Sequence, residues 1–131
     1  MKIPTILIAA LLITLISCQE NCPDGMSGDD CEIQTRDRFI GIWGSNDYNC
    51  TSNSRDSTII EITRGTEIDD IELRFLIDSI NLFTAKVNED EFIFEDEALE
   101  ITGLSRGEIL IFTFNNTTPD NNTNCAGSFR K

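Results

Sequence analysis

Residues 38–45 read RFIGIWGS. In an extended chain Phe39, Gly41 and Trp43 fall on one face and Ile40 and Ile42 on the other, and the run stops at Gly44-Ser45. From Phe39 onward no stretch holds a helical period. Short β-rich runs follow instead: STIIEIT, IELRFLI, INLFTAKV, EFIFED, ALEITG, EILIFTF and NCAGSFRK. Turn residues mark the gaps at Arg64-Gly65, Asp69-Asp70, Asn88-Glu89-Asp90, Ser105-Arg106-Gly107 and the Asn/Thr/Pro/Asp stretch 115–124. Eight runs between residues 39 and 131 leave about eleven residues per strand and turn, which predicts an all-β, antiparallel up-and-down meander. Closing that meander into a barrel would remove its exposed edges.

Composition narrows the function. The 131 residues carry a formal charge of -13, and removing residues 1–17 takes away Lys2 and no acid, which makes it -14. Such a surface repels nucleic acid and anionic head groups. The sequence has no histidine to act as a base and no serine in a nucleophile elbow, so it reads as non-enzymatic. The acidic clusters Asp29-Asp30, Asp69-Asp70, Glu89-Asp90-Glu91 and Glu95-Asp96-Glu97 lack EF-hand spacing. They read as solvated turns that blunt sheet edges, and no metal or cofactor is expected.

The five cysteines divide unevenly. Lys2 precedes fourteen uncharged residues, Ile3 to Ile16. That is short for a membrane span, which needs about 20 apolar residues, and suits a signal-peptide core. Leu15-Ile16-Ser17-Cys18 resembles a bacterial lipobox. The resemblance implies cleavage after residue 17, a diacylglycerol on Cys18, a second acyl group such as palmitate on its amine, and an outer-membrane address, periplasmic or surface-facing. A plain secretory peptide is the alternative. With Cys18 lipidated, Cys22, Cys31, Cys50 and Cys125 remain for two disulfides, with three connectivities open.

Residues 18–38 form a short stub. Cys22 and Cys31 enclose eight residues with Gly25 and Gly28 at turn positions. A bridge there would stabilise by about 2.7 kcal/mol in the chain-entropy model. The pattern Cys-Pro-x-Gly-x-x-Gly-x-x-Cys-Glu resembles the C-terminal half of an EGF-like module, without the aromatic between the glycines and without the earlier cysteines. A reduced, unstructured linker is the alternative.

Gly41-x-Trp43 resembles the first-strand motif of the lipocalins, and residues 39–131 are assigned to a lipocalin-like barrel. In that wider group a last-strand cation packs over the tryptophan, which implies a barrel-base pair of Trp43 and Arg130. The order of stub, Arg-x-Arg-Phe-x-Gly-x-Trp, meander and late cysteine is similar to uncharacterised bacterial lipoproteins with small lipocalin-like barrels. The chain is much shorter than a lipocalin, so its interior is either filled or holds one small ligand. In a closed meander the first and last strands are neighbours, which predicts a Cys50–Cys125 bridge worth about 4.5 kcal/mol in the same model.

Two strands are apolar on both faces. EILIFTF carries Ile109 and Ile111 opposite Leu110, Phe112 and Phe114, and INLFTAKV sets Ile80 and Leu82 opposite Phe83, Ala85 and Val87. A barrel covers one face, so the other suggests a partner, a second copy or packing by the stub. Asparagine sequons at Asn49, Asn115, Asn116 and Asn121 read as turn chemistry, and Asp56-Ser57-Thr58 and Asp78-Ser79-Ile80 resemble bacterial O-glycosylation triplets. The expected function is a lipid-anchored envelope protein whose barrel binds a small apolar ligand or a protein partner. The alternative is a solid-cored structural or adaptor subunit of an envelope complex.

Overall fold

The computed structural model describes residues 22–28, 30–31, 33–51, 58–76 and 81–131. The leader, Cys18 and the two Asp-Ser triplets lie wholly or partly outside them.

Disulfide Cys22–Cys31 closes a small ribbon of β1 (Met26–Ser27) and β2 (Ile33–Gln34), paired antiparallel. A single 3-10 turn, Thr35–Arg38, leads from this stub into the body. There β3 (Gly41–Ser45), β5 (Thr58–Arg64), β6 (Asp70–Phe75), β7 (Leu82–Asn88), β8 (Glu91–Glu95), β9 (Leu99–Arg106), β10 (Ile109–Thr118) and β11 (Asn121–Arg130) form a closed eight-stranded antiparallel barrel. A two-residue strand, β4 (Asn49–Cys50), adds to β11 beside β3. Each of the eight sequence runs becomes one barrel strand.

Two expected gaps are strand instead. The β10–β11 ladder runs from Ile109↔Arg130 to Thr118↔Asn121, through the Asn/Thr stretch, and leaves only Pro119-Asp120 as the turn. Likewise β9 continues through Ser105 and Arg106. Asparagine is a turn former when alone, but here each one lies opposite a ladder partner that satisfies its backbone. At the other end the first strand starts late. Phe39 is helical in backbone, so the strand begins at Gly41.

Period-2 alternation sends one residue in two into the barrel. Phe39, Trp43, Ile60, Ile62, Ile71, Leu73, Phe92, Ile101, Leu110, Phe112 and Phe129 are fully buried and fill it. The fit is tight at Gly103, where an added Cβ would lie 2.2 Å from the Phe92 ring. Glycine there makes room for the ring. Phe92 in turn meets Phe39 edge-on at 5.2 Å between centroids. In the two doubly apolar strands Phe83, Ala85, Val87, Leu110, Phe112 and Phe114 point inward, while Leu82 and Ile111 on the outer face are exposed.

The base of the barrel corrects one expectation. Trp43 is 1% exposed and its Nε1–H donates to the Phe39 carbonyl at 2.7 Å. The cation over its ring is Lys131, with Nζ 4.8 Å from the centroid, and not Arg130. Arg130 lies directly opposite Gly44 in the ladder, so its side chain leaves on the outer face and is exposed. One residue later Lys131 takes the inner parity of Phe129 and comes opposite Trp43. Gly41 gives the lysine stem its path: it has φ of 140°, and a Cβ there would meet Lys131 Cε at 3.3 Å.

Closure of the seam is shared. β11 meets β3 at Arg130↔Gly44 and β4 at Cys125↔Cys50, where the second disulfide, Cys50–Cys125, joins directly opposed residues. Between them residues 46–48 cross over Gly127, whose absent Cβ would stand 2.9 Å from Tyr48 Cα. Asp47 fastens that crossing. Its Oδ1 accepts from the Ser128 N–H at 2.9 Å and the Ser45 hydroxyl at 2.7 Å, and Oδ2 accepts from the Ser128 hydroxyl at 2.7 Å. These bonds, the Ser128 hydroxyl first, lower the Asp47 pKa to about 2.

The stub is tied to the same base. Arg36 is 8% exposed and its Nη1 donates to the carbonyls of Gly65 at 3.0 Å, Glu67 at 2.5 Å and Asp70 at 3.0 Å. Its Nε donates to Gln34 Oε1 at 3.1 Å. The guanidinium thereby satisfies the carbonyls of the turn between β5 and β6. Beside it Asp70 Oδ1 takes no directional hydrogen bond, and its partner is the Lys86 ammonium at 2.6 Å. Lys86 holds the Asp70 carboxyl below the usual range, and Asp70, then Asp69, raise the Lys86 pKa.

Candidate functional site

The two ends of the barrel differ. At the base, Phe39, Trp43 and the stub cover the core. Towards the far end four strands each carry a half-buried, inward phenylalanine: Phe75 on β6, Phe83 on β7, Phe94 on β8 and Phe114 on β10, which continues to Thr118. Phe75 meets Phe114 at 6.0 Å and Phe83 at 6.5 Å, both edge-to-face, and Phe83 meets Phe94 at 5.3 Å. Leu99 joins them from β9, and Leu76 and Leu82 stand exposed at 46% and 47% on the rim. These residues meet because each strand places a phenylalanine at the same inward parity. Sequence reading saw the residues strand by strand but not the cluster.

Among the described residues, side chains fill the barrel below this layer. Phe112 lies directly under the cluster, 5.7 Å from Phe75 and 5.4 Å from Phe129, and both Phe112 and Phe129 are fully buried. Tyr48 packs on Phe129 at 5.7 Å. Around the aromatic end the described charges are mainly acidic, apart from Arg74, which lies opposite Leu82 and pairs with Glu61. Glu95 ends β8, Asp96 and Glu97 follow it, and Glu100 lies opposite Glu95 in the ladder. Asp96 Oδ1 accepts the N–H groups of Ala98 and Leu99 at 2.9 and 2.8 Å, which shapes the turn into β9.

The sequence-derived site residues are distributed as follows. Cys22 meets Cys31 and Cys50 meets Cys125 in disulfides. Trp43 lies in the base apart from Arg130, and Cys18 is outside the described residues. Among the described residues no three His, Cys, Asp or Glu side chains converge as a metal site, and no helix is long and apolar enough to cross a membrane. A shallow depression of about 350 Å³, open to solvent, lies along Asn49, Thr113, Asn115, Asn124 and the Cys50–Cys125 bridge. Its lining surface is mostly apolar and carries no charged side chain. Three functional contacts escaped sequence reading: Arg36, Asp47 and Lys131. Only Lys131 had a local signal, the inward alternation Cys125, Gly127, Phe129. No family model matches this chain, and neither a curated protein nor a solved structure matches it.

Proposed function

We propose that this protein is a non-enzymatic, lipid-anchored component of a bacterial envelope, acylated at Cys18, whose solid barrel acts as an adaptor for a protein partner. The observation that favours an adaptor over a ligand carrier is the filled interior: Phe39, Trp43, Phe92, Phe112 and Phe129 are each no more than 1% exposed. A carrier needs an enclosed apolar cavity of some hundreds of cubic ångströms. The half-buried phenylalanines at the end away from the stub offer anchors of the kind that concentrate binding energy at protein interfaces. The stub supports the same reading, because Arg36 holds it to the base and thereby directs the aromatic end away from the anchor.

The test uses the full chain expressed in a bacterial host. The Cys18→Ser variant is expected to lose its fatty-acid label and leave the membrane fraction, because two or three acyl chains anchor firmly while one is marginal. A photo-crosslinking residue at Leu82, on the aromatic rim, is expected to give one discrete protein adduct absent when it is placed at Glu72. A small apolar molecule of defined mass travelling with the native protein in mass spectrometry would favour the carrier instead. Unchanged membrane partitioning of Cys18→Ser would remove the anchor from the reading.

A further inference from the structure

Charge divides the barrel along its axis. The ten basic side chains, less Lys2 and Arg55, which fall outside the described residues, leave eight. Seven of these stand at the base: in the turn before β3, at the base ends of β5, β7, β9 and β11, or, for Lys131, just after β11. Acids answer several of them there. Arg38 pairs with Asp90, Arg64 with Asp37, and Lys86 with Asp69 and Asp70. The eighth cation, Arg74, lies on the far half of the barrel and pairs with Glu61.

The aromatic end keeps acids without such partners. Phe94 is followed directly by Glu95, Asp96 and Glu97, and Leu99 by Glu100, so these charges are carried by the residues next to the cluster. None of the four holds an ion pair among the described residues. Asp96 is engaged by the N–H groups of Ala98 and Leu99, and Glu100 accepts from Asn115 Nδ2 at 3.2 Å. Glu95 and Glu97 are exposed and make no side-chain hydrogen bond among the described residues. Glu95 and Glu100 are also direct cross-strand neighbours, and like charges so placed oppose the pairing of their strands.

Resting on the adaptor reading above, we propose that the partner meets this end with a cationic segment. A large apolar side chain of that segment lies against Phe75, Phe83 and Phe94, and lysine or arginine beside it faces Glu95, Glu97 and Glu100. Charge complementarity selects this occupant. An acidic segment would be repelled, and an uncharged one would leave the Glu95–Glu100 repulsion unrelieved while taking water from the carboxylates. A cation removes both costs, and the ring faces attract it as well. The work is then divided: the rings anchor the partner, while the acids set partner choice and the rate of encounter. Because the carboxylates are exposed, salt weakens their share.

The full chain in its bacterial host, with Leu82 replaced by the photo-crosslinker p-benzoylphenylalanine, tests this. The adduct is cut with a glutamate-specific protease and its attachment segment is sequenced by mass spectrometry. That segment is expected to carry lysine or arginine beside the attachment point and no acid there. Glu95→Lys combined with Glu97→Lys is expected to lower the adduct yield by about tenfold or more, since it sets like charges together. It also places a lysine opposite Glu100, which favours the fold, and circular dichroism checks that. Glu91→Lys combined with Glu108→Lys, at the base, makes the same change in net charge and is expected to leave the yield unchanged. An adduct on an acidic or uncharged segment, or a yield that both pairs change alike, overturns the cationic partner and leaves the adaptor reading standing. The absence of a discrete protein adduct from Leu82, or an adduct with a small molecule alone, overturns both.

Discussion

The Lys131 ammonium stands 4.8 Å from the centroid of the Trp43 ring, over the part of the inner face that Gly41 leaves bare. The two side chains do different work. Trp43→Ala removes a buried indole and its hydrogen bond to Phe39 and is expected to cost about 3–5 kcal/mol. Lys131→Ala loses an attraction of about 0.5–1 kcal/mol at an exposed site. Arg130→Ala, on the outer face, is expected to leave stability unchanged. Trp43 is the sole tryptophan, so its emission reports the contact: it should shift in Lys131→Ala and not in Arg130→Ala. The reverse pattern would return the cation to Arg130.

A second expectation concerns the packing of Gly103 against Phe92. A methyl group at 103 would lie 2.2 Å from the ring, which has no free space to enter because Phe39 and Phe112 flank it. Gly103→Ala is therefore expected to destabilise by at least 1–3 kcal/mol, the usual range for about one added carbon in a packed core. Phe92→Leu alone should also destabilise, through the lost ring contacts. The double variant should cost less than the two single effects together, since the smaller side chain clears the methyl. Urea midpoints of the four proteins measure the coupling, and strict additivity would show that the ring is not what excludes the methyl.

Much of this fold was legible because the apolar residues keep period 2 and Gly, Asn and Asp punctuate them. That pattern gave the eight strands, and strand adjacency in a closed meander gave the Cys50–Cys125 pairing. The error at the base has a physical cause. Gly-x-Trp suggests that a late cation should cover the indole, but choosing between Arg130 and Lys131 requires the parity of β11, and a slip of one residue exchanges inside for outside. Phe129 carried that information. Arg36 was not legible at all, because its carbonyl partners belong to a turn that exists only once β5 and β6 have paired. The aromatic end needed the same long-range register, which aligns Phe75, Phe83, Phe94 and Phe114 from four separate strands.

The two disulfides are expected to differ in weight. Cys50–Cys125 spans 75 positions and Cys22–Cys31 spans nine. Loop entropy makes the longer closure worth about 4.5 kcal/mol and the shorter about 2.7 kcal/mol, both upper values for real proteins. Replacing Cys50 and Cys125 with serine should therefore lower the denaturation midpoint more than replacing Cys22 and Cys31. The first pair also frees the crossing at residues 46–48, and hydrogen exchange at Ser128 should accelerate there. Equal losses from both pairs would mean that the Asp47 contacts alone hold the seam.

The pH dependence of the seam follows from those Asp47 contacts. Hydrogen bonds from the Ser128 hydroxyl, the Ser45 hydroxyl and the Ser128 N–H favour the carboxylate and depress its folded pKa to about 2, against about 3.9 in an unfolded chain. A depressed carboxyl stabilises the fold above the unfolded value and loses that contribution as pH falls through the folded value. Asp70, held down first by Lys86, acts in the same direction. Wild type should therefore lose stability between about pH 4 and pH 2, the window between those two pKa values. Asp47→Asn keeps a hydrogen-bonding side chain without the charge, so it should be less stable than wild type at pH 7. The gap between them should narrow steadily on acidification and be small by about pH 2, where the folded wild-type carboxyl is half protonated and the unfolded one almost fully so. At the alkaline end the raised Lys86 pKa means that its ion pair is complete below the unfolded lysine value of about 10.4 and weakens as pH climbs beyond it. Urea titrations of wild type and Asp47→Asn across the acid window decide the matter. A difference that stays constant from pH 7 to pH 2 would assign the effect of the substitution to side-chain shape and not to the charge on Asp47.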